Sequence, residues 1–197
     1  MPSQAVLLGI LGEIQNVIGV TRAKVYENDT NVTDGNGIPA HSISAVVEGG
    51  DANAIAEVIR RRKSTGTGTY GTTSIALTDP QGLPITIKFY RPTIAHVFVK
   101  VTVKPLTGFS STYADELKAQ VVEHINSLGI GSTVYLSKLF VPANLEKNDH
   151  DSTYDIESIE IGTSKGTLQA KNIKTAFNGV PFCEVANVEV VTNDRTY

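Results

Sequence analysis

The sequence predicts an α+β protein made of two small domains, residues 1–92 and 93–197, each a mostly antiparallel sheet packed with one or two helices. Three observations predict this. Strand-period and helix-period apolar patterns occur in the first half of the chain and again in the second. Asp79-Pro80-Gln81-Gly82 supplies the turn chemistry of an antiparallel hairpin between two strand patterns. Arg91-Pro92 then interrupts the pattern, because proline lacks a backbone donor and restricts the residue before it. Of 197 residues 41% are hydrophobic, which is enough apolar material to form real cores.

In the first half, Leu7, Leu8, Leu11, Ile14 and Ile18 recur at helical spacing and predict a helix over residues 4–16 that Gly19 ends. Ala23 and Val25 alternate with Arg22, Lys24 and Tyr26 as in a half-buried strand. Residues 28–39 contain Asp34-Gly35-Asn36-Gly37, types that tolerate positive φ, and read as an exposed loop. Residues 43–47 form a short apolar strand stopped by Gly49-Gly50. Asp51 can cap a helix that carries Ala52, Ile55, Ala56 and Ile59 on one face, with Asn53, Glu57, Arg60 and Arg61 elsewhere. Residues 72–78 and 85–90 supply the two hairpin strands.

The second half repeats this grammar. Val97, Val99, Val101 and Val103 alternate strictly with polar or outward residues, a strand pattern. Thr112 with Asp115 has the spacing of a capping box, and Leu117, Val121, Ile125 and Leu128 continue as a helix that Gly129 stops. Residues 134–137 read as a short strand, and Pro142 limits the short helix or loop after it. Ile156, Ile159 and Ile161 slip register once, the mark of a bulged strand. Ala186, Val188 and Val190 alternate as a last strand.

Composition and motifs exclude several kinds of chemistry. A net charge of −3 argues against general nucleic-acid binding. The apolar run of residues 5–11 follows no Lys or Arg and precedes Glu13, so it reads as neither signal peptide nor membrane span. The lone Cys183 cannot form an internal disulfide, is flanked by Glu184 rather than a cationic activator, and reads as a buried small residue of a cytoplasmic protein. Gly66-Thr67-Gly68-Thr69-Tyr70-Gly71 matches GxGxxG but follows a helix and leads into a strand, the reverse of a dinucleotide site, and reads as a flexible connection. His41, His96, His124 and His150 are scattered, without zinc spacing. Glu146, Asp149, His150, Asp151 and Asp155 lack the glycine and spacing of a calcium loop and read as a polar loop. Asn28 and Asn31 match the glycosylation sequon only by chance in a turn. No catalytic, cofactor or metal constellation is found, and the chain reads as non-enzymatic.

One cluster exceeds its local explanation. Arg60, Arg61, Arg62 and Lys63 lie at a helix C-terminus, where the dipole favours positive charge by about 0.3–1 kcal/mol. Four cations are more than capping requires. They are candidate contacts for an acidic partner surface.

Gly19-Val20, Tyr26-Glu27-Asn28, residues 34–39, His41-Ser42-Ile43, residues 46–51, Ile55-Ala56, Thr69-Tyr70-Gly71 and Phe89-Tyr90-Arg91-Pro92 follow one another at a characteristic spacing. In combination they resemble the baseplate J-like family of contractile phage tails, strongly over residues 17–104 and loosely beyond. The resemblance implies a structural wedge component that joins its neighbours into the ring around the central hub. It further implies other wedge and hub proteins as partners, with a second copy of the chain as a candidate, and no nucleic acid, membrane, cofactor or small-molecule substrate. The implied location is the virion tail baseplate, assembled in the bacterial cytoplasm. The resemblance makes residues 1–92 the central domain and residues 93–197 the C-terminal domain of family members, which usually carry a further N-terminal region. The nearest alternative is the equivalent subunit of a tail-derived secretion or bacteriocin particle. From a different class, a receptor- or carbohydrate-binding tail module ordinarily uses exposed aromatics, whereas this chain has no Trp.

Overall fold

The computed structural model describes residues 2–79, 81–145 and 153–193. Among them, four helices and twelve strands form several small, mostly antiparallel sheets, an α+β fold. The chain divides into two compact units, Met1–Thr93 and Ile94–Tyr197.

The first unit contains α1 (Pro2–Gln15), β1 (Val20–Asn28), β2 (Ser42–Gly49), α2 (Ala52–Arg62), β3 (Gly68–Thr69), β4 (Thr73–Thr78) and β5 (Pro84–Phe89). β2 is the middle strand, antiparallel to β1 and parallel to β3. Tyr90 also bonds to it, donating to the Ala45 carbonyl at 2.8 Å and accepting from the Val47 N–H at 2.9 Å. Covered on both faces, β2 is buried continuously from Ser42 to Val47, which explains its short apolar run. Its buried hydroxyls are satisfied, Ser42 by the Ala40 carbonyl and Ser44 by the Tyr70 carbonyl. Ile10 and Ile14 of α1 meet Ile43, Ala45 and Val47, Ile55 and Ile59 of α2, and Ile87 and Phe89 of β5 in one core. Asp51 caps α2 as predicted, accepting from the Ala54 N–H at 2.9 Å. β4 and β5 form the predicted antiparallel hairpin, and Asp79 Oδ1 accepts from the Gln81 and Leu83 N–H groups in its turn.

The second unit contains β6 (Thr93–His96, beginning at the division), β7 (Phe98–Pro105), α3 (Ser111–Asn126), β8 (Thr133–Val134), α4 (Leu136–Ala143), β9 (Tyr154–Gly162), β10 (Ile173–Lys174), β11 (Gly179–Phe182), a 3-10 turn (Val185–Asn187) and β12 (Val188–Thr192). β7 lies between β9, antiparallel, and β12, parallel. Val97, Val99, Val101 and Val103 share a core with Leu117, Val121 and Ile125 of α3 and Leu139 of α4. The bulge falls in β9, where the register steps from Thr102↔Ser158 to Val103↔Ile156 and leaves Glu157 as the extra residue.

Three expectations in this unit need correction. No Thr112–Asp115 capping box forms, because α3 starts at Ser111, ahead of Thr112, and Asp115 instead accepts from Lys118 at 3.2 Å. The strand expected at residues 134–137 is two residues long, since α4 begins at Leu136, whose N–H is held by Asn172 Oδ1. Ala186 lies in a 3-10 turn, so the last strand starts at Val188. Pro142 lies inside the last turn of α4, and the Tyr154 hydroxyl donates to the Ala143 carbonyl at 2.6 Å at the end of this helix.

Candidate functional site

The α2 helix delivers the basic cluster to one end of the first unit, its last turn being Arg60, Arg61 and Arg62 with Lys63 as the capping residue. The structure brings internal partners to all four. Arg60 donates to Glu57 at 2.9 Å, one helical turn earlier. Arg61 donates to Glu13 Oε2 at 3.0 Å, and Arg62 Nε to Glu13 Oε1 at 2.7 Å, so one carboxylate of α1 holds two guanidiniums of α2. Lys63 Nζ donates to the Thr67 carbonyl at 2.9 Å and thereby secures the glycine loop. Two carboxylates against four cations leave an excess of positive charge, and the Arg61 and Arg62 side chains remain 65% and 53% exposed.

Part of the cluster's surplus over capping is therefore a helix-to-helix clamp. Its acidic member, Glu13, entered the sequence reading only as the charge after the apolar run and not as a partner of the cluster, from which it lies 48 and 49 residues away. A signal was present all the same, since Glu13 is the one charged residue among the first 21. The Arg62 hydrogen bond, reinforced by Arg61, lowers the Glu13 carboxyl from its ordinary 4.5 to about 2. A carboxylate depressed in the folded state stabilises it fully above pH 4.5 and loses that contribution as pH falls toward 2. Glu13→Gln should therefore flatten the stability-versus-pH profile of the first unit in this window, as read by acid titration of helical circular dichroism. An unchanged profile would show that the clamp does not operate in solution.

A Cβ on Gly71 would lie 2.1 Å from the backbone carbon of Phe89, so the glycine lets two backbones touch. Gly71 is thus a close-packed crossing point, whereas a Cβ on Gly66, earlier in the same loop, would meet nothing within 4 Å. Tyr70 beside Gly71 meets Tyr90 edge to face, with ring centroids 5.7 Å apart.

The loop of residues 28–39 is organised from within. Asn28, 3% exposed, donates from Nδ2 to the carbonyls of Val32 and Ile38, each at 2.7 Å. Its Oδ1 accepts from the Thr30 N–H and hydroxyl. Asp34 Oδ1 accepts from the Asn36 and Ile38 N–H groups at 2.8 Å. His41 holds a positive φ of 52° and shares a 2.9 Å hydrogen bond with Asn31 Oδ1. At the far end of β2, Arg91 donates to the carbonyls of Val47, Gly49 and Gly50, and its guanidinium lies over the Phe89 ring.

Cys183 is 1% exposed, and burial, with the Glu184 charge adding, pushes its thiol up to about 12. Asn126 brackets its backbone, accepting from the Cys183 N–H at 2.8 Å and donating to its carbonyl at 3.0 Å. An aromatic disulfide reagent at pH 8 should leave native Cys183 unmodified and react fully in denaturant. Native reaction at the denatured rate would contradict the burial.

Glu146, Asp149, His150 and Asp151 lie outside the described residues, and Asp155 stands opposite Lys104 in the backbone register of β9 and β7. Among the described residues, no group of three or more His, Cys, Asp or Glu is placed to hold a metal ion. No helix among them is long and apolar enough to cross a membrane. No protein-family model matches the chain, and no curated protein matches it in sequence.

Proposed function

We propose that this chain is a non-catalytic structural subunit of a contractile phage-type tail baseplate, a wedge component whose exposed surfaces join neighbouring proteins into the ring around the hub. One observation carries the reading: several of the segments that resemble the baseplate J-like family hold one another in place. Asn28 ties together the loop that contains residues 34–39, Arg91 grips Gly49 and Gly50, Tyr70 meets Tyr90, and Gly71 admits Phe89. Fragments scattered over some seventy positions act as a set of fold determinants, which is what a shared fold requires. Arg61 and Arg62, exposed and with charge in excess of their carboxylate partners, are the surface proposed to meet an acidic neighbour.

The test of location is electron microscopy of tails carrying a gold-labelled version of the chain. Label should decorate the baseplate end, and label along the tube or at fibre tips would refute the assignment. The test of the surface compares two variants in baseplate assembly. Changing Arg60, Arg61 and Arg62 together to Ser should lower the yield of complete baseplates while the chain remains folded, since exposed ion pairs contribute about 0–1 kcal/mol each. A charge lost from a buried interface costs about 2–5 kcal/mol by leaving its partner unpaired. Glu13→Gln removes the internal clamp but spares the guanidiniums, so it should assemble normally. Equal loss in both variants would make the cluster an internal clamp only.

A further inference from the structure

The carboxylate that clamps α1 to α2 stands on the same surface that is proposed to meet a partner. Arg62 places Nε, at 2.7 Å, and Nη2 on Glu13 Oε1, and Arg61 gives Nη2 to Oε2 at 3.0 Å. The Nε–Nη2 edge of an arginine is a fork that can receive a carboxylate through two parallel bonds. On Arg62 that edge is taken from within the chain. A carboxylate arriving from outside must therefore use the other atoms of the guanidinium or displace Glu13.

Displacement is open to it for two reasons. The Arg61 and Arg62 side chains stay 65% and 53% exposed, and ion pairs in such positions are weak enough for an outside carboxylate to compete. Ile10 and Ile14 hold α1 independently, in the core they share with Ile55 and Ile59 of α2, so Glu13 can let go without releasing the helix. While Glu13 stays in place, its negative charge offsets one of the two guanidiniums that a partner would meet. We propose, on the reading of the basic end of α2 as a partner surface, that Glu13 is a built-in competitor for the acidic peptide segment that Arg61 and Arg62 bind. The clamp between α1 and α2 thereby sets the affinity of this surface. By reciprocity, a partner that takes the arginines eases the opening of α1 by the same factor.

The probe is a Glu-rich synthetic peptide, titrated into the full chain by fluorescence anisotropy at low ionic strength, with its Gln-for-Glu counterpart as control. Only the Glu peptide is expected to bind. Glu13→Gln should tighten it about threefold, and Arg61→Ser with Arg62→Ser should weaken it about tenfold or more, with or without Glu13→Gln. A gain of that size is consistent with the normal assembly expected of Glu13→Gln. In the unaltered chain, saturating peptide should speed amide exchange of α1 about threefold, and this measurement decides alone if circular dichroism finds Glu13→Gln unfolded. A Glu peptide that does not bind, or binds without the arginines, refutes the partner surface and the competitor with it. Binding through the arginines that Glu13→Gln fails to tighten, or that leaves α1 exchange unchanged, overturns the competitor role alone. An oligonucleotide of equal charge that binds more tightly than the peptide overturns the assignment to an acidic segment.

Discussion

Gly49→Ala should unfold the first unit. Gly49 has φ 72°, and a Cβ there would sit 2.1 Å from the Gly19 carbonyl oxygen, a backbone atom that no rotamer change can move aside. Left-handed backbone costs a non-glycine residue about 1–2 kcal/mol by itself. Relieving the clash would in addition part β1 from β2 where Val20 pairs with Gly49. It would also disturb the carbonyls of Gly49 and Gly50 that Arg91 grips. The total should exceed about 4 kcal/mol, in the range reserved for strain at a special backbone position. Gly35→Ala is the control, since a Cβ there meets nothing within 4 Å, and should stay within about 0.5 kcal/mol. Hydrogen exchange resolved to β1 and β2 is the measurement, and a loss of protection below about 1 kcal/mol for Gly49→Ala would refute the account.

The second large effect is expected at Asn28. Its side chain satisfies the carbonyls of Val32 and Ile38 and the N–H and hydroxyl of Thr30 in a nearly solvent-free position. Asn28→Ala removes four hydrogen bonds at about 0.5–1.5 kcal/mol each, while the Ile38 carbonyl keeps the Asp34 N–H and the Val32 carbonyl keeps the Thr30 hydroxyl, so a loss of about 3 kcal/mol is expected. Asn28→Asp preserves shape and separates packing from hydrogen bonding. Its second oxygen would face two carbonyl oxygens, which disfavours the charged form and raises the folded-state pKa of the new carboxyl. The destabilisation should therefore be greatest at neutral pH and ease as pH falls through that raised value, because the protonated acid can donate again. Denaturant titration at several pH values decides it. Asn28→Asp no less stable than the parent at pH 7 would show that the loop does not depend on this donor.

Local patterns were legible where a short stretch of chain settles its own structure. The Asp51 cap, the hairpin around Asp79 and the inward valines of β7 depend on neighbours a few residues away, and all formed as read. The capping box at Thr112 failed for a related reason, since side-chain spacing permits such a box but the start of α3 at Ser111 removes it. β8 was overextended because an apolar run between turns does not say whether Leu136 continues a strand or opens a helix.

The basic cluster at Arg60–Lys63 was visible as a run of charge, and its location at the end of a helix followed from the apolar period before it. What that charge meets was not visible. Glu13 reaches Arg61 and Arg62 only because Ile10 and Ile14 bury α1 in the core that Ile55 and Ile59 of α2 also enter. The same holds for the glycines, whose number was plain but whose contacts, Gly49 on Gly19 and Gly71 on Phe89, exist only once β1, β2 and β5 are assembled. The sequence alone thus determined the α+β class, most of the elements and the candidate basic surface, because periodicity, caps and turns act over a few residues. The tertiary structure decided which charges are clamped and which glycines are crossing points, because those depend on atoms brought together by burial rather than by spacing along the chain.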